Sequence, residues 1–295
     1  MKVFLTGGTG FVGNAIVAGL LEAGHRVRAL ARRGSEKKLK VADRCEIVSG
    51  GIENADLLRE GIEGCDAVIH LVGIIREYPK KGVTFEKAHV DGTKSVADTA
   101  LRTGARRFIH MSALGARPNA STRYFSTKWA AEEYLRSLPL NTTIFRPSVI
   151  IGPNGEFTAM LKQLCSLPLT PVIGNGNYRL QPVAIANVVE CFIRALGDPG
   201  TIGKAYSVGG PEPVSFNDML RVFTEVMGKK ARLLHFPKEP IKLMTKIFQR
   251  IPGWPITTEQ LAMLEEDQVC DTGPLLEDIN IKLIPYRDAC ALALS

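Results

Sequence analysis

The sequence predicts an α/β protein built on a doubly wound parallel sheet, with a smaller C-terminal lobe. Three observations lead there. Short apolar runs alternate with helix-period patterns up to about residue 152, and a glycine-rich turn joins the first run to the first helix. Beyond that point the rhythm gives way to proline and glycine punctuation. Repeated strand–helix alternation calls for right-handed crossovers between parallel strands, which place helices on both faces of the sheet.

Residues 2–6 read as the first strand. Residues 11–23 follow as a helix, with Ile16, Val17, Leu20 and Leu21 on one face and Gly24 as its stop. Strands are expected at 26–31, 46–48 and 67–72, a helical stretch at 83–102 ending near Gly104, and a fifth strand at 107–112. A helix at 124–137 and a sixth strand at 142–151 complete the alternation. Helical patterns recur at 157–164, 185–196, 216–227, 241–251 and 258–267. Residues 1–152, rejoined by about 183–200, are expected to form the sheet domain, and 153–182 with 201–295 the smaller lobe.

Composition narrows the function classes. The 295 residues are 45% hydrophobic and 23% charged, enough apolar material for a large core. The six cysteines are scattered without C-x-x-C spacing, which argues against a zinc or redox motif and for reduced thiols. No signal-peptide core is visible, and no apolar run approaches the ~18 residues of a membrane span. The expected location is the cytoplasm. The net charge of +7 suits anionic ligands or surfaces. It is not organised into long basic runs with interleaved aromatics, so nucleic acid is not an expected partner.

Thr6-Gly7-Gly8-Thr9-Gly10-Phe11-Val12-Gly13 carries G-x-x-G-x-x-G in the context that gives the pattern meaning, after a first strand and at the start of an apolar helix. Gly7 makes the tight turn, Gly10 lets backbone approach a pyrophosphate, and Gly13 lets helix pack closely on strand. The helix N-terminus offers free N–H groups and partial positive charge to phosphates, with Thr9, Phe11 and Val12 completing the cradle. An NAD site places an acid about twenty residues on, at the end of the second strand. Here that position reads Ala31-Arg32-Arg33. Two guanidiniums suit a 2′-phosphate, so NADP(H) is expected ahead of NAD(H). The other reading has both arginines solvated and either cofactor accepted.

Tyr124-Phe125-Ser126-Thr127-Lys128 is Y-x-x-x-K at the start of a predicted helix, and i,i+4 spacing sets both side chains on one face. A free tyrosine has a pKa of about 10, and a neighbouring ammonium favours phenolate. Tyr124 is therefore the expected acid/base for a substrate oxygen during hydride transfer, with Lys128 as its activator and a holder of the nicotinamide ribose.

The turn and the Tyr–Lys pair together resemble the extended short-chain dehydrogenase/reductase (NAD-dependent epimerase/dehydratase) superfamily. Four blocks, 70–77 (HLVGIIRE), 107–116 (RFIHMSALGA), 146–153 (RPSVIIGP) and 178–183 (YRLQPV), are similar to an atypical subgroup. It comprises the Rossmann-fold NADPH-binding accessory subunit of mitochondrial complex I and its bacterial homologues. The resemblance runs to about residue 270. It implies a tightly bound NADP(H), no established substrate for many members, Val72-Gly73 against the cofactor and Arg146-Pro147 beside the nicotinamide. Three departures from the superfamily pattern stand out. Ala113 occupies the usual catalytic Ser/Thr position, leaving Ser112, one residue early and on the opposite strand face, as the substitute. Gly50-Gly51 replaces an adenine-facing Asp, and His89 replaces an Asn.

His110, mid-strand among apolar neighbours, reads as a satisfied buried histidine. Glu132, four residues after Lys128, reads as its helix-face ion partner. The histidines are too dispersed for a metal site. Along Ile241–Ile251, Lys242, Lys246 and Arg250 line one helix face, Leu243, Met244, Ile247, Phe248 and Ile251 line the other, and Trp254 follows. The plain reading turns the apolar face inward. The other docks the helix on an anionic membrane or a respiratory complex, giving peripheral membrane placement. Two functions follow: an NADP(H)-dependent oxidoreductase or epimerase acting on a small oxygenated substrate, or a cofactor-loaded, non-catalytic scaffold.

Overall fold

The computed structural model describes residues 1–249 and 256–295. In chain order the first half contains β1 (Lys2–Thr6), α1 (Phe11–Glu22), β2 (Arg26–Ala31), β3 (Glu46–Ser49), α2 (Ala55–Ile62), β4 (Ala67–His70), α3 (Gly92–Thr103), β5 (Arg107–Met111), α4 (Arg123–Arg136) and β6 (Asn141–Pro147). Then come β7 (Ile150–Ile151), α5 (Glu156–Ser166), β8 (Thr170–Ile173), β9 (Arg179–Leu180), β10 (Val183–Ala184), α6 (Ile185–Gly197) and β11 (Ala205–Val208). The chain closes with β12 (Val214–Ser215), α7 (Phe216–Val226), β13 (Leu233–Phe236), α8 (Lys238–Phe248), α9 (Thr258–Glu265), α10 (Gly273–Ile279) and α11 (Tyr286–Leu294).

Seven strands form the main sheet in the order β11-β6-β5-β4-β1-β2-β3, and every pairing is parallel. The order reverses between β1 and β4, and a doubly wound sheet opens its ligand crevice at such a switch point, beyond the carboxyl ends of the strands. Both faces are covered, so β4 is buried throughout. Period-two alternation divides the core. Val3, Leu5, Ile69 and Ile109 meet Ile16, Val17 and Leu20 of α1 and Val188 and Phe192 of α6. Phe4, Val68 and Phe108 face the other way, onto Leu58 and Ile62 of α2, Val96 of α3 and Leu135 of α4. The smaller lobe gathers Leu161, Met219, Leu220, Phe223 and Tyr286 into its own core.

Several boundaries differ from the sequence reading. The strand expected at 142–151 breaks after Pro147, and Ile150–Ile151 resumes as β7, which pairs with β10 away from the main sheet. The chain near 183–200 rejoins the sheet domain through α6, packed on the sheet and against α1. The stretch 201–295 is not wholly in the smaller lobe. Ala205–Val208 pairs with β6 as the edge strand, and Leu275 and Ile279 of α10 join the sheet core. Four residues running into Gly209-Gly210 are too short to give a periodicity signal. The buried Arg107 of β5 ties this edge together. It donates to the carbonyl of Asn141 at 2.8 Å, to the carbonyl of Ala195 and to Thr201 Oγ1 at 3.0 Å.

The basic amphipathic helix exists as α8, but its apolar face is not turned inward. Leu243 and Ile247 are 60% and 59% exposed, and Thr245 is the residue that α8 buries. The inward reading fails because the less exposed side of α8 runs through Ile241, Lys242 and Thr245, which leaves Leu243, Met244 and Ile247 outside. Arg250, Ile251 and Trp254 lie outside the described residues. Among the described residues no helix is long and apolar enough to cross a membrane.

Candidate active site

The crevice is built first by missing side chains. Gly7 sits at φ +81° in the left-handed region, and Gly10 donates to its carbonyl at 3.1 Å. A Cβ on Gly13 would lie 2.1 Å from Gly7 O and 2.7 Å from Gly8 Cα, so α1 can start this close to β1 only with hydrogen at that position. Gly10 caps α1 without any side-chain hydrogen bond. The amides of Phe11, Val12 and Gly13, which have no intrahelical acceptor by geometry, therefore meet no capping oxygen. Exposed Gly10 and half-exposed Thr9 form the rim. Bare backbone, uncapped donors and the positive helix end are the fit that a dinucleotide pyrophosphate requires. Phe11 turns toward Gly152 and Gly155, where a Cβ would come within 3.0–3.1 Å of its ring.

Beyond β2, Arg32 and Arg33 are exposed and form no ion pair among the described residues. Their loop is held to α1 by Asn14. Its amide donates to Lys38 O at 3.1 Å, and its oxygen accepts from Lys40 N at 2.8 Å. Nothing in the sequence reading singled Asn14 out, because its partners come from a loop without periodicity.

On the other side of the switch point, half-buried Val72 and exposed Gly73 continue from β4. A Cβ on Gly73 would stand 2.9 Å from Lys128 Nζ, so this glycine makes room for the ammonium. Thr122 caps α4, accepting from Phe125 N at 3.3 Å, and fixes where Tyr124 and Lys128 begin. Lys128 is 2% exposed and donates to Met111 O at 3.0 Å. Burial lowers its pKa to about 8, against the opposing pull of Glu132. Tyr124 departs from expectation. Burial raises its pKa to about 12, and no ammonium offsets the rise. The sequence showed the spacing of the pair but not the apolar ring contacts with Phe85, His89 and Phe125 that desolvate the phenol.

Glu132 also differs from its expected role. It is fully buried and bonds Arg146 (Nε to Oε1, 2.8 Å) and Arg136 (Nη2 to Oε2, 2.7 Å) rather than pairing with Lys128. The i,i+4 rule misses it because Arg146, brought in by β6, supplies a bidentate guanidinium that an ammonium cannot match. Arg146 in turn stacks 5.4 Å over Trp129. Pro147 ends β6 half-buried, and its carbonyl accepts from Leu114 N at 2.9 Å, setting the Ser112–Leu114 loop beside it.

Three histidines lie behind Lys128. His70 and His110 stack at 5.5 Å across β4 and β5, and Thr6 Oγ1 meets His70 Nδ1 at 2.7 Å. His110 was expected to be satisfied, yet neither of its ring nitrogens has a protein partner, and Ser112 Oγ and His70 Nε2 have none either. Burial, followed by the Lys128 charge, holds His70 down to about 3 and His110 well below the ordinary imidazole range. His89 sits in a π-helical turn, Glu86–Asp91. Its Nδ1 lies 2.9 Å from Thr127 Oγ1, and its Nε2 lies 3.1 Å from both N and O of Ile74. Its ring meets Tyr124 edge-on at 5.4 Å. His89 thus joins the loop after β4 to the tyrosine. Among the described residues no group of three or more metal-ligating side chains converges.

These features define an α/β protein with a dinucleotide-type crevice and a Tyr–Lys pair at its switch point. The profile of the NAD dependent epimerase/dehydratase family matches residues 3–209, and the chain belongs to that family of NAD(P)-binding, short-chain dehydrogenase/reductase-type proteins. It is similar to the mitochondrial 40 kDa subunit of NADH-ubiquinone oxidoreductase from Neurospora crassa, 27% identical over 94% of this chain and 74% of that protein. Ceramide reductase from Caulobacter vibrioides is 29% identical over 80% of this chain and 73% of its own length. UDP-glucose 4-epimerase from Thermotoga maritima shares the fold, with a TM-score of 0.80 at 17% identity, covering 100% of this chain and 97% of that one.

Proposed function

We propose that the chain is an NADP(H)-dependent reductase in which Tyr124 donates the proton to a substrate carbonyl oxygen. The carrying observation is the placement of Tyr124 and Lys128 on one face of α4, across the switch-point crevice from an uncapped glycine turn. The bound nicotinamide would supply hydride to the carbonyl carbon. Tyr124, with its pKa raised to about 12, is protonated at neutral pH and so carries the proton that the carbonyl oxygen would take. Lys128, whose ammonium donates to Met111 O beside Gly73, is assigned to the nicotinamide ribose. Gly7, Thr9, Gly10, Phe11, Val12 and Gly13 hold the diphosphate, and Arg32 and Arg33 take the 2′-phosphate. Val72, Gly73, Lys128 and Pro147 border the nicotinamide end. Ser112 is assigned the second donor to the substrate oxygen, because its buried hydroxyl has no bond within the protein.

Calorimetry with NADPH and NADH, followed by NADPH oxidation against ketones and quinones, tests the reading. NADPH should bind about ten-fold tighter or more, and Arg32→Ala with Arg33→Ala should erase the preference. Tyr124→Phe should keep NADPH affinity and lose about 10²–10⁴-fold in turnover. Equal turnover in Tyr124→Phe removes the donor role, and failure to bind either dinucleotide removes the whole proposal.

A second reading is a cofactor-loaded subunit of a respiratory assembly without turnover of its own. The Neurospora relative, matched over 94% of this chain, supports it, as does Ala113 where a catalytic Ser or Thr is usual. Tight NADPH binding with no oxidation of any carbonyl tested favours this reading.

A further inference from the structure

A closed circuit of contacts joins Tyr124, the loop after β4, and helices α8 and α9. His89 joins Tyr124 to Ile74. Arg76, in the same loop, donates to Gln249 O at 3.0 Å at the end of α8. Gln249 Oε1 accepts from Thr258 N at 3.1 Å at the start of α9, and Glu259 Oε2 reaches Tyr124 N at 3.4 Å. The two segments on the outer side of this ring are the loop after β4 and helix α8. Both expose large apolar side chains: Ile75 and Tyr78 on one, Leu243, Met244 and Ile247 on the other. Both also carry lysines. Lys80 and Lys81 follow Tyr78, Lys246 lies among the α8 residues, and none of the three has an acidic partner among the described residues.

This composition selects the occupant. Lysine is depleted in the cores of protein–protein interfaces. Aliphatic side chains interleaved with lysine, with a tyrosine at the edge, are the pattern of elements that lie in a membrane interface, where apolar groups enter the acyl boundary and ammonium groups meet anionic headgroups. The pattern occurs twice, on segments far apart in sequence, and the Arg76–Gln249 bond brings both to one mouth.

We infer that the mouth of the crevice docks on an anionic lipid bilayer, and that the substrate is a bilayer-resident amphiphile whose carbonyl reaches Tyr124 from the lipid side. The substrate half rests on the reductase reading above. The docking half does not. The ceramide reductase relative, named for a lipid, is in keeping with it.

Vesicle flotation of the full chain tests the docking half. Wild-type protein should float with phosphatidylcholine/phosphatidylglycerol vesicles at least about ten-fold better than with phosphatidylcholine alone, and high salt should reduce the difference. Leu243→Asp with Ile247→Asp, and separately Ile75→Asp, should each lose about ten-fold in binding while NADPH affinity and melting temperature stay unchanged. Wild-type protein that stays in solution with anionic vesicles, or variants that float as well as wild type, overturns the inference. Retention by a protein partner without vesicle binding also overturns it and assigns the face to protein docking. For the substrate half, NADPH oxidation is compared between a long-chain ketone in vesicles and a short-chain ketone in solution. The Leu243→Asp/Ile247→Asp protein should lose the first and keep the second. Flotation without turnover of either ketone sinks the reductase reading and the substrate half, while docking stands. Turnover of the soluble ketone without flotation sinks docking and leaves the reductase.

Discussion

The two sides of the crevice are made by opposite means. The turn side is made by exclusion: hydrogen at Gly13, where a carbon would lie 2.1 Å from Gly7 O and 2.7 Å from Gly8 Cα. The α8–α9 side is made by attachment, through Arg76, Gln249, Thr258 and Glu259, with the apolar face of α8 left outside. The first side tolerates almost no added volume, and its geometry is fixed before any ligand arrives. The second rests on a few polar bonds near the surface, each worth about 1 kcal/mol, so it can yield without cost to the sheet.

Substitutions sharpen this contrast. The largest effect is expected at Glu132, the buried carboxylate that joins α4 to β6. Glu132→Ala strands Arg146 and should cost about 3–5 kcal/mol of unfolding free energy in urea titrations. A loss below about 1 kcal/mol would show that α4 is anchored by packing alone. Gly13→Ala comes next. Its methyl group meets Gly7 O, so a destabilisation of about 1–3 kcal/mol is expected together with loss of measurable NADPH binding by calorimetry. Gln249→Ala should cost less, about 1 kcal/mol or under, and should leave NADPH affinity intact. If it weakened NADPH binding as much as Gly13→Ala, the two sides would be one mechanical unit.

A pH dependence tests the buried ammonium between the two sides. The Lys128 pKa is about 8 in the fold against an ordinary 10.5, so between those values the unfolded chain binds more protons and stability rises with pH. The melting temperature of wild type should therefore gain on that of Lys128→Met between pH 8 and pH 10. Parallel curves would mean that the ammonium is not desolvated.

What the sequence disclosed was local. The strand before Gly7, the turn itself and the i,i+4 placement of Tyr124 and Lys128 each depend on residues within a few positions of one another. What stayed hidden was set by distant chain. Tyr124 looked activated because Lys128 lies one helical turn away, but Phe85 and His89 decide its solvation. Glu132 looked like a partner for Lys128 until β6 delivered Arg146. The pairs β7–β10 and β9–β12 are two residues long and antiparallel or parallel according to the lobe rather than to any pattern of their own. The amphipathic stripe of α8 was plain, but a stripe does not say which face meets the lobe.

The position of β11 bears on how the chain is made. During synthesis, β6 leaves the ribosome with an open edge, and the strand that seals it begins only at Ala205. Over the same interval the Arg107 guanidinium lacks the Ala195 carbonyl and the Thr201 hydroxyl that later surround it. A nascent chain halted between Pro147 and Ala205 thus holds a nearly complete sheet that is exposed to intermolecular strand addition. Translation past that point covers the edge of β6 with the four-residue β11, a shorter edge than the one it replaces.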